Sequence, residues 1–149
     1  MSSSRPQRPL RVLLVDDDAV FRELLAFVLR ADAGAEIVAQ AADGARGVEL
    51  AEELRPDVVV MDLRMPGMDG FEATERIAAT VPGARVVVVS SSTALADVER
   101  AGRAGAAGYV PKDRVVAELP DEVGRLRAAK PQSKRRSLDV FFSRRLVLG

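Results

Sequence analysis

The stretch Val58–Gly70, VVVMDLRMPGMDG, decides how the rest of the chain is read. Four consecutive apolar residues, Val58 to Met61, run directly into a single carboxylate at Asp62. A short β-branched run bounded by turn residues is the pattern of a strand buried on both faces, as in a parallel sheet. Asp62 then falls at the carboxyl end of that strand, the edge where open α/β sheets hold their ligands. Beyond it Pro66, Gly67 and Gly70 break regular structure and form a loop over the strand end. Taken alone, the stretch also fits an ordinary strand followed by a polar turn, so its neighbours have to decide.

Upstream, Leu10–Val15 is another buried-strand run, and it ends in Asp16, Asp17 and Asp18. Phe21, Leu24, Leu25, Val28 and Leu29 follow at helical spacing until Asp32–Gly34 closes that helix. Glu36–Ala41 reads as a strand and Gly44–Leu54 as a helix, stopped by Arg55-Pro56-Asp57. Downstream, Phe71–Thr80 reads as a helix and Arg85–Ser90 as a valine strand that opens into serines. Ala94–Ala104 is a weakly anchored helix of small residues, and Gly108–Val110 a short strand ending at Pro111-Lys112-Asp113. Proline is unfavourable inside a helix, so the pattern predicts a last helix that starts at Pro120 and runs to Ala129, with Val123 and Leu126 inward. Five βα units with short connections predict an α/β fold, a doubly wound five-stranded parallel sheet. The flavodoxin-like (βα)5 order 2-1-3-4-5 fits that alternation.

The composition narrows the chemistry. A chain of 149 residues holds one ordinary domain. Basic and acidic residues are both 22, so no global field steers it toward nucleic acid or membrane. It contains no cysteine and no histidine, which excludes disulfides, thiolate nucleophiles, His-based triads and nearly all zinc chemistry. No apolar run approaches the roughly 20 residues of a transmembrane helix, and the N-terminus lacks a signal-peptide core, so a cytoplasmic location is expected. Residues 1–9 are expected to be a disordered tail, 10–129 the folded domain, and 130–149 a basic and apolar tail, again disordered.

The carboxyl ends of strands one, three, four and five present Asp16 and Asp17, Asp62, Ser90 and Lys112. Each has an ordinary explanation: an acidic run caps a helix, serines form turns, and a lone lysine is solvated. All of them fall on one rim, however. Clustered carboxylates raise one another's pKa unless a cation is present, and a hard cation such as Mg2+ takes carboxylates, waters and a phosphoryl group. The remaining residues suit phosphoryl transfer onto a carboxylate. Asp62 is the candidate nucleophile, Lys112 and the metal would neutralise phosphoryl oxygens, and the Ser90 hydroxyl would donate to another.

The runs LLVDDD, VVMDLRMPGMDG, VVVVSSS and GYVPKD together resemble the receiver domains of bacterial two-component response regulators, over roughly Leu10 to Ala129. The resemblance implies that Asp62 accepts phosphate from a histidine kinase or a histidine phosphotransfer protein. It implies Mg2+ held by Asp16, Asp17 and Asp62 with the main-chain carbonyl of Arg64. It also implies that Ser90 and Tyr109 form a switch pair and that Lys112 contacts the phosphoryl group. Phosphorylation would draw in the Ser90 hydroxyl, and the Tyr109 ring would enter the vacated space. Asp18 is the odd carboxylate, expected to cap the first helix.

Asp113 directly after Lys112 resembles the subclass whose output is usually a LuxR-type helix-turn-helix. Only 19 residues follow Lys130, too few for that domain, so specific DNA binding is not expected. The output is expected to be a downstream protein partner, the chain acting as a monomer or a phosphorylation-promoted dimer. The last residues, with six Lys and Arg beside Phe141, Phe142 and Leu146, also allow a docking segment for a partner or a membrane surface. Arg64 and Ser92 each follow a site residue by two positions and are expected to line its mouth and tune phosphoryl lifetime, Arg64 by contacting phosphoryl oxygens.

Two other readings stay open. Asp16-Asp17-Asp18 also satisfies the D-x-D pattern of haloacid-dehalogenase-type phosphatases, with Asp16 as nucleophile and Asp18 as acid/base, but that leaves VVVMDLRMPGMDG without a role. A pseudo-receiver, a binding module that is never phosphorylated, would normally have lost an acidic residue or the lysine.

Overall fold

The computed structural model describes residues 8–128. Strands β1 (Leu10–Val15), β2 (Ala35–Ala41), β3 (Val58–Met61), β4 (Arg85–Ser90) and β5 (Gly108–Pro111) alternate with helices α1 (Ala19–Ala33), α2 (Gly44–Leu54), α3 (Gly70–Thr80), α4 (Leu95–Ala104) and α5 (Val115–Ala128). All strand pairs are parallel, in the order β2-β1-β3-β4-β5. The flavodoxin-like architecture expected from the βα alternation is therefore the one found.

Strands β1, β3, β4 and β5 are buried on both faces because each face meets helices, whereas the edge strand β2 is only partly covered. Leu13, Val15, Val59, Met61, Val86 and Val88 pack with Phe71, Ile77 and Val98 from α3 and α4 in one core. Val12, Leu14, Val58, Val60, Val87 and Val89 pack with Leu25, Leu29, Leu119 and Val123 from α1 and α5 in the other. A buried aliphatic side chain contributes about 1.5–3 kcal/mol, so these two layers hold the rim residues in place. The stripe predicted for α1 is displaced slightly. Leu25, Val28 and Leu29 are buried, whereas Leu24 is 39% exposed and Val20 and Phe27 face outward.

The last helix does not begin at Pro120. It runs unbroken from Val115 and carries Pro120 inside, preceded by a 3-10 turn at Lys112–Arg114. Proline removes one ladder bond, to the carbonyl four residues earlier, here that of Val116, whose residue is exposed to water. Val115, Leu119, Val123 and Leu126 are all buried on one stripe. Burying them outweighs the roughly 3 kcal/mol that an internal proline costs. Ala129, expected in this helix, lies outside the described residues, as do the expectations for residues 1–7 and 130–149. Arg8, placed by the sequence in the N-terminal tail, is paired with Asp57 at 2.9 Å.

Candidate functional site

Ladder hydrogen bonds continue one residue beyond the strands and fix the acidic residues at the rim. The Asp16 amide donates to Ala41 O at 3.0 Å and the Asp62 amide to Val15 O at 2.9 Å. The carboxylates therefore project from adjacent strand ends, with Asp16 1% and Asp62 5% exposed. Asp17 is exposed. One oxygen from each of Asp16, Asp17 and Asp62 lies within 4.8 Å of the others. Asp18 stands apart from them. Its carboxylate accepts from the amides of Val20 and Phe21 at 3.0 and 3.1 Å and caps α1, as expected.

Lys112 reaches the cluster from the end of β5. Its Nζ lies 3.0 Å from Asp16 Oδ2 and 3.6 Å from Asp62 Oδ2, and 4.6 Å from the centre of the Phe21 ring. The other Asp16 oxygen accepts from the Asp18 amide at 2.8 Å, and Arg22 donates to the Asp16 main-chain carbonyl. One ammonium thus faces three carboxylates. Burial, then the charge of Asp16, pushes the Asp62 carboxyl up from 3.8 to about 6. Lys112 and the neighbouring Arg64 backbone amide pull the other way. Burial alone would lower the Lys112 ammonium, but the hydrogen bond to Asp16 and the charge of Asp62 hold it above its usual value. Excess negative charge on hard oxygen donors, two carboxylates buried and one open to water, fits Mg2+, which keeps several waters and binds one or two carboxylates beside a phosphoryl group.

The loop after β3 turns tightly back onto the strand end. Gly67 takes a left-handed φ of 77°, which only glycine adopts cheaply. The Gly70 amide donates to Leu63 O at 2.9 Å, and α3 begins so close to the strand end that a Cβ on Gly70 would stand 2.0 Å from Asp62 O.

Ser90 is 1% exposed, and its hydroxyl accepts from the Ser92 amide at 3.1 Å. Tyr109 is already buried in this structure, its hydroxyl donating to Ser92 O at 2.9 Å. The two switch candidates therefore meet the same residue of the β4–α4 loop. Arg64 and Ser92 meet at a further carboxylate, that of Asp97. The Arg64 guanidinium lies 2.9 Å from Asp97 Oδ2, and the Ser92 hydroxyl donates to that same oxygen at 2.6 Å. Sequence reasoning missed Asp97, Phe21 and the packing role of Gly70. An acidic residue in a helix's first turn is ordinary, so no local signal marks Asp97, and Lys112 and Phe21 are brought together only by the fold.

Comparison with known proteins agrees with this geometry. The family model for the response regulator receiver domain matches residues 12–123. Protein-glutamate methylesterase/protein-glutamine glutaminase 2 of Anaeromyxobacter dehalogenans is 44% identical over 126 residues, covering 85% of this chain and 36% of that protein. The nitrate/nitrite response regulator protein NarL of Escherichia coli is 37% identical over 113 residues, covering 76% of this chain and 52% of that protein. The chain thus spans about half or less of the length of these relatives. A CheX–CheY–BeF3–Mg2+ complex from Borrelia burgdorferi matches with a TM-score of 0.76 and 27% identity, covering 81% of this chain and 91% of that one. Neither competing reading is favoured, since Asp18 is engaged at a helix cap and the acidic residues and the lysine stand together. The chain belongs to the receiver domains of two-component response regulators.

Proposed function

We propose that Asp62 is the phosphoacceptor of this receiver and that the transfer depends on Mg2+. The observation that carries this reading is a buried carboxylate at the end of the central strand, within reach of one ammonium and two further carboxylates. Asp16, Asp17 and Asp62, with the Arg64 carbonyl, would hold the metal, which when bound supplies positive charge to phosphoryl oxygens. An Asp62 carboxylate oxygen attacks phosphorus, the phosphorus–nitrogen bond of a phosphohistidine breaks, and its electron pair returns to the imidazole. Lys112 neutralises one phosphoryl oxygen, and the Ser90 hydroxyl donates to another. Neutralisation of Lys112 by Asp16 in the present arrangement keeps the cation poised at the rim.

The partners are a histidine kinase or phosphotransfer protein and a downstream protein, and the site of action is the cytoplasm. Among the described residues no helix is long and apolar enough to cross a membrane. Ser90 and Tyr109 act on α4 through Ser92, the residue that both contact. Helix α4 has no side-chain cap at its start, which suits an element that repacks. The chain acts as a signalling acceptor and not as an enzyme on another substrate, and Arg64 and Ser92 bear on how long the phosphoryl group survives.

Incubation of the full chain with acetyl phosphate and Mg2+ should give a single acid-stable, base-labile adduct by intact-mass measurement. Asp62→Asn or EDTA should abolish it. An adduct that persists in Asp62→Asn would remove Asp62 from the mechanism.

A further inference from the structure

Arg64 follows Asp62 by two residues and its backbone amide favours the Asp62 carboxylate, but its side chain has a partner of its own. The guanidinium meets Asp97, in the first turn of α4, at 2.9 Å. The Asp97 side chain is 19% exposed and is held a second time, by the Ser92 hydroxyl at 2.6 Å. Ser92 in turn receives the Tyr109 hydroxyl on its carbonyl and gives its amide to Ser90. Asp97 is therefore anchored to the switch loop by a second hydrogen bond, whereas the Arg64 side chain is 63% exposed, with its guanidinium 5.8 Å from the centre of the Phe71 ring.

We infer that Asp97 is a positioning residue that shortens the life of the acyl phosphate by holding the Arg64 guanidinium away from Asp62. The inference rests on the reading of Asp62 as phosphoacceptor. Hydrolysis requires a water in line with the phosphorus–oxygen bond. Water attacks phosphorus, the bond to Asp62 breaks, its electron pair restores the carboxylate, and inorganic phosphate leaves with one proton released to solvent. A guanidinium has five donors and no acceptor, so it cannot orient the attacking water through a lone pair. Lying on phosphoryl oxygens, it occupies the approach; lying on Asp97, it leaves the approach to water. Two anions, Asp97 and the phosphoryl group, compete for one cation. Because Ser92 pre-orients Asp97, any movement of the β4–α4 loop alters that competition, which links lifetime to the switch.

The test follows decay of the adduct after removal of acetyl phosphate, with Mg2+ present, in the full-length wild type, Asp97→Asn, Arg64→Ala and the double variant. Asp97→Asn should slow decay about two- to five-fold, the fold-change that the free energy of a partly exposed ion pair corresponds to. It should have no effect in the Arg64→Ala background, and Asp97→Glu should restore fast decay. An unchanged or faster decay in Asp97→Asn, or an equal change in both backgrounds, overturns the inference. Failure of the wild type to acquire the adduct on Asp62 would instead refute the acceptor reading, and the inference with it. A second readout needs no phosphate: the Arg64 Nε–H signal in 15N relaxation should show greater mobility in Asp97→Asn. Unchanged mobility would mean that Asp97 does not hold the guanidinium, and would overturn the inference on its own.

Discussion

At the amino-terminal rim of the sheet, Asp57 accepts from Arg8 and from the Arg11 amide, each at 2.9 Å, and Arg11 donates in turn to Leu54 O and Arg55 O. Arg85 and Arg127 there give their guanidinium groups to the carbonyls of Leu126 and Arg8. Arg8, Asp57, Arg85, Leu126 and Arg127 line a cleft of about 360 Å3 there, and its arginines are engaged by Asp57 and by main-chain carbonyls. At the carboxyl-terminal rim the same sheet sets three carboxylates, Asp16, Asp17 and Asp62, beside the Lys112 ammonium, and Asp62 is driven up to about 6. The contrast shows where charge stabilises the fold and where it is left uncompensated. Strand entry points are closed by ion pairs and backbone bonds, whereas strand exits keep like charges together, ready for a cation and an anionic group.

Glycine substitutions at the two rims should give the largest difference. A methyl group on Gly70 would meet Asp62 O at 2.0 Å and Leu63 Cα at 2.8 Å, both backbone atoms, whereas one on Gly83, just before β4, would meet nothing within 4 Å. Gly70→Ala should lose about 3 kcal/mol in urea titration, because the backbone itself must move. Gly83→Ala should be neutral or gain up to about 1 kcal/mol by restricting the unfolded chain. Equal losses at both positions would break the comparison.

A smaller effect is expected from Asp62. Because the folded-state pKa of Asp62 lies above 3.8, its contribution to stability is fully present below that value and is lost as pH rises through about 6. Asp62→Asn carries no such loss. In the absence of divalent cations the variant should match the wild type near pH 3.5 and exceed it by about 1–2 kcal/mol at pH 8, after allowance for solvent screening. Urea midpoints measured across that range check the sign. A variant less stable than the wild type at pH 8 would mean that Lys112 already compensates the cluster.

The smallest effect belongs to the amino-terminal rim. Asp57→Asn removes the charge from a pair whose Arg8 side chain is 71% exposed, so it should lower stability by about 0.5–1 kcal/mol. Adduct formation with acetyl phosphate should remain at the wild-type rate. A slower rate would show that the two rims are coupled through the sheet.

Much of this arrangement was legible from residue order. Valine runs at β3 and β4 can be buried on both faces only in a covered parallel sheet, and the residues that end such runs must stand on one rim. Where local rules misled, tertiary burial had overridden them. Pro120 reads as a helix start, but the stripe from Val115 to Leu126 keeps the helix intact through it. Leu24 shares the helical spacing of its buried neighbours, yet it lies at the margin of the α1 stripe and remains exposed. Arg64 and Ser92 were expected at the mouth of the site because of their offsets from Asp62 and Ser90. Offset fixes where a side chain is rooted but not what it meets, and both side chains meet the carboxylate of Asp97.

Residue order settles the succession of strands and helices along the chain, the residues at each strand end and the chemistry those residues can perform. Each of these follows from local periodicity and from side-chain type, which need no knowledge of distant neighbours. Only the tertiary structure decided that Asp62 is buried beside Asp16 and driven up to about 6, that Lys112 lies nearer Asp16 than Asp62, and that Arg64 pairs with Asp97. Those outcomes depend on strand register, on how far water is excluded, and on which charges meet across loops far apart in sequence. Dielectric and proximity are properties of the packed molecule, and no stretch of the chain carries them alone.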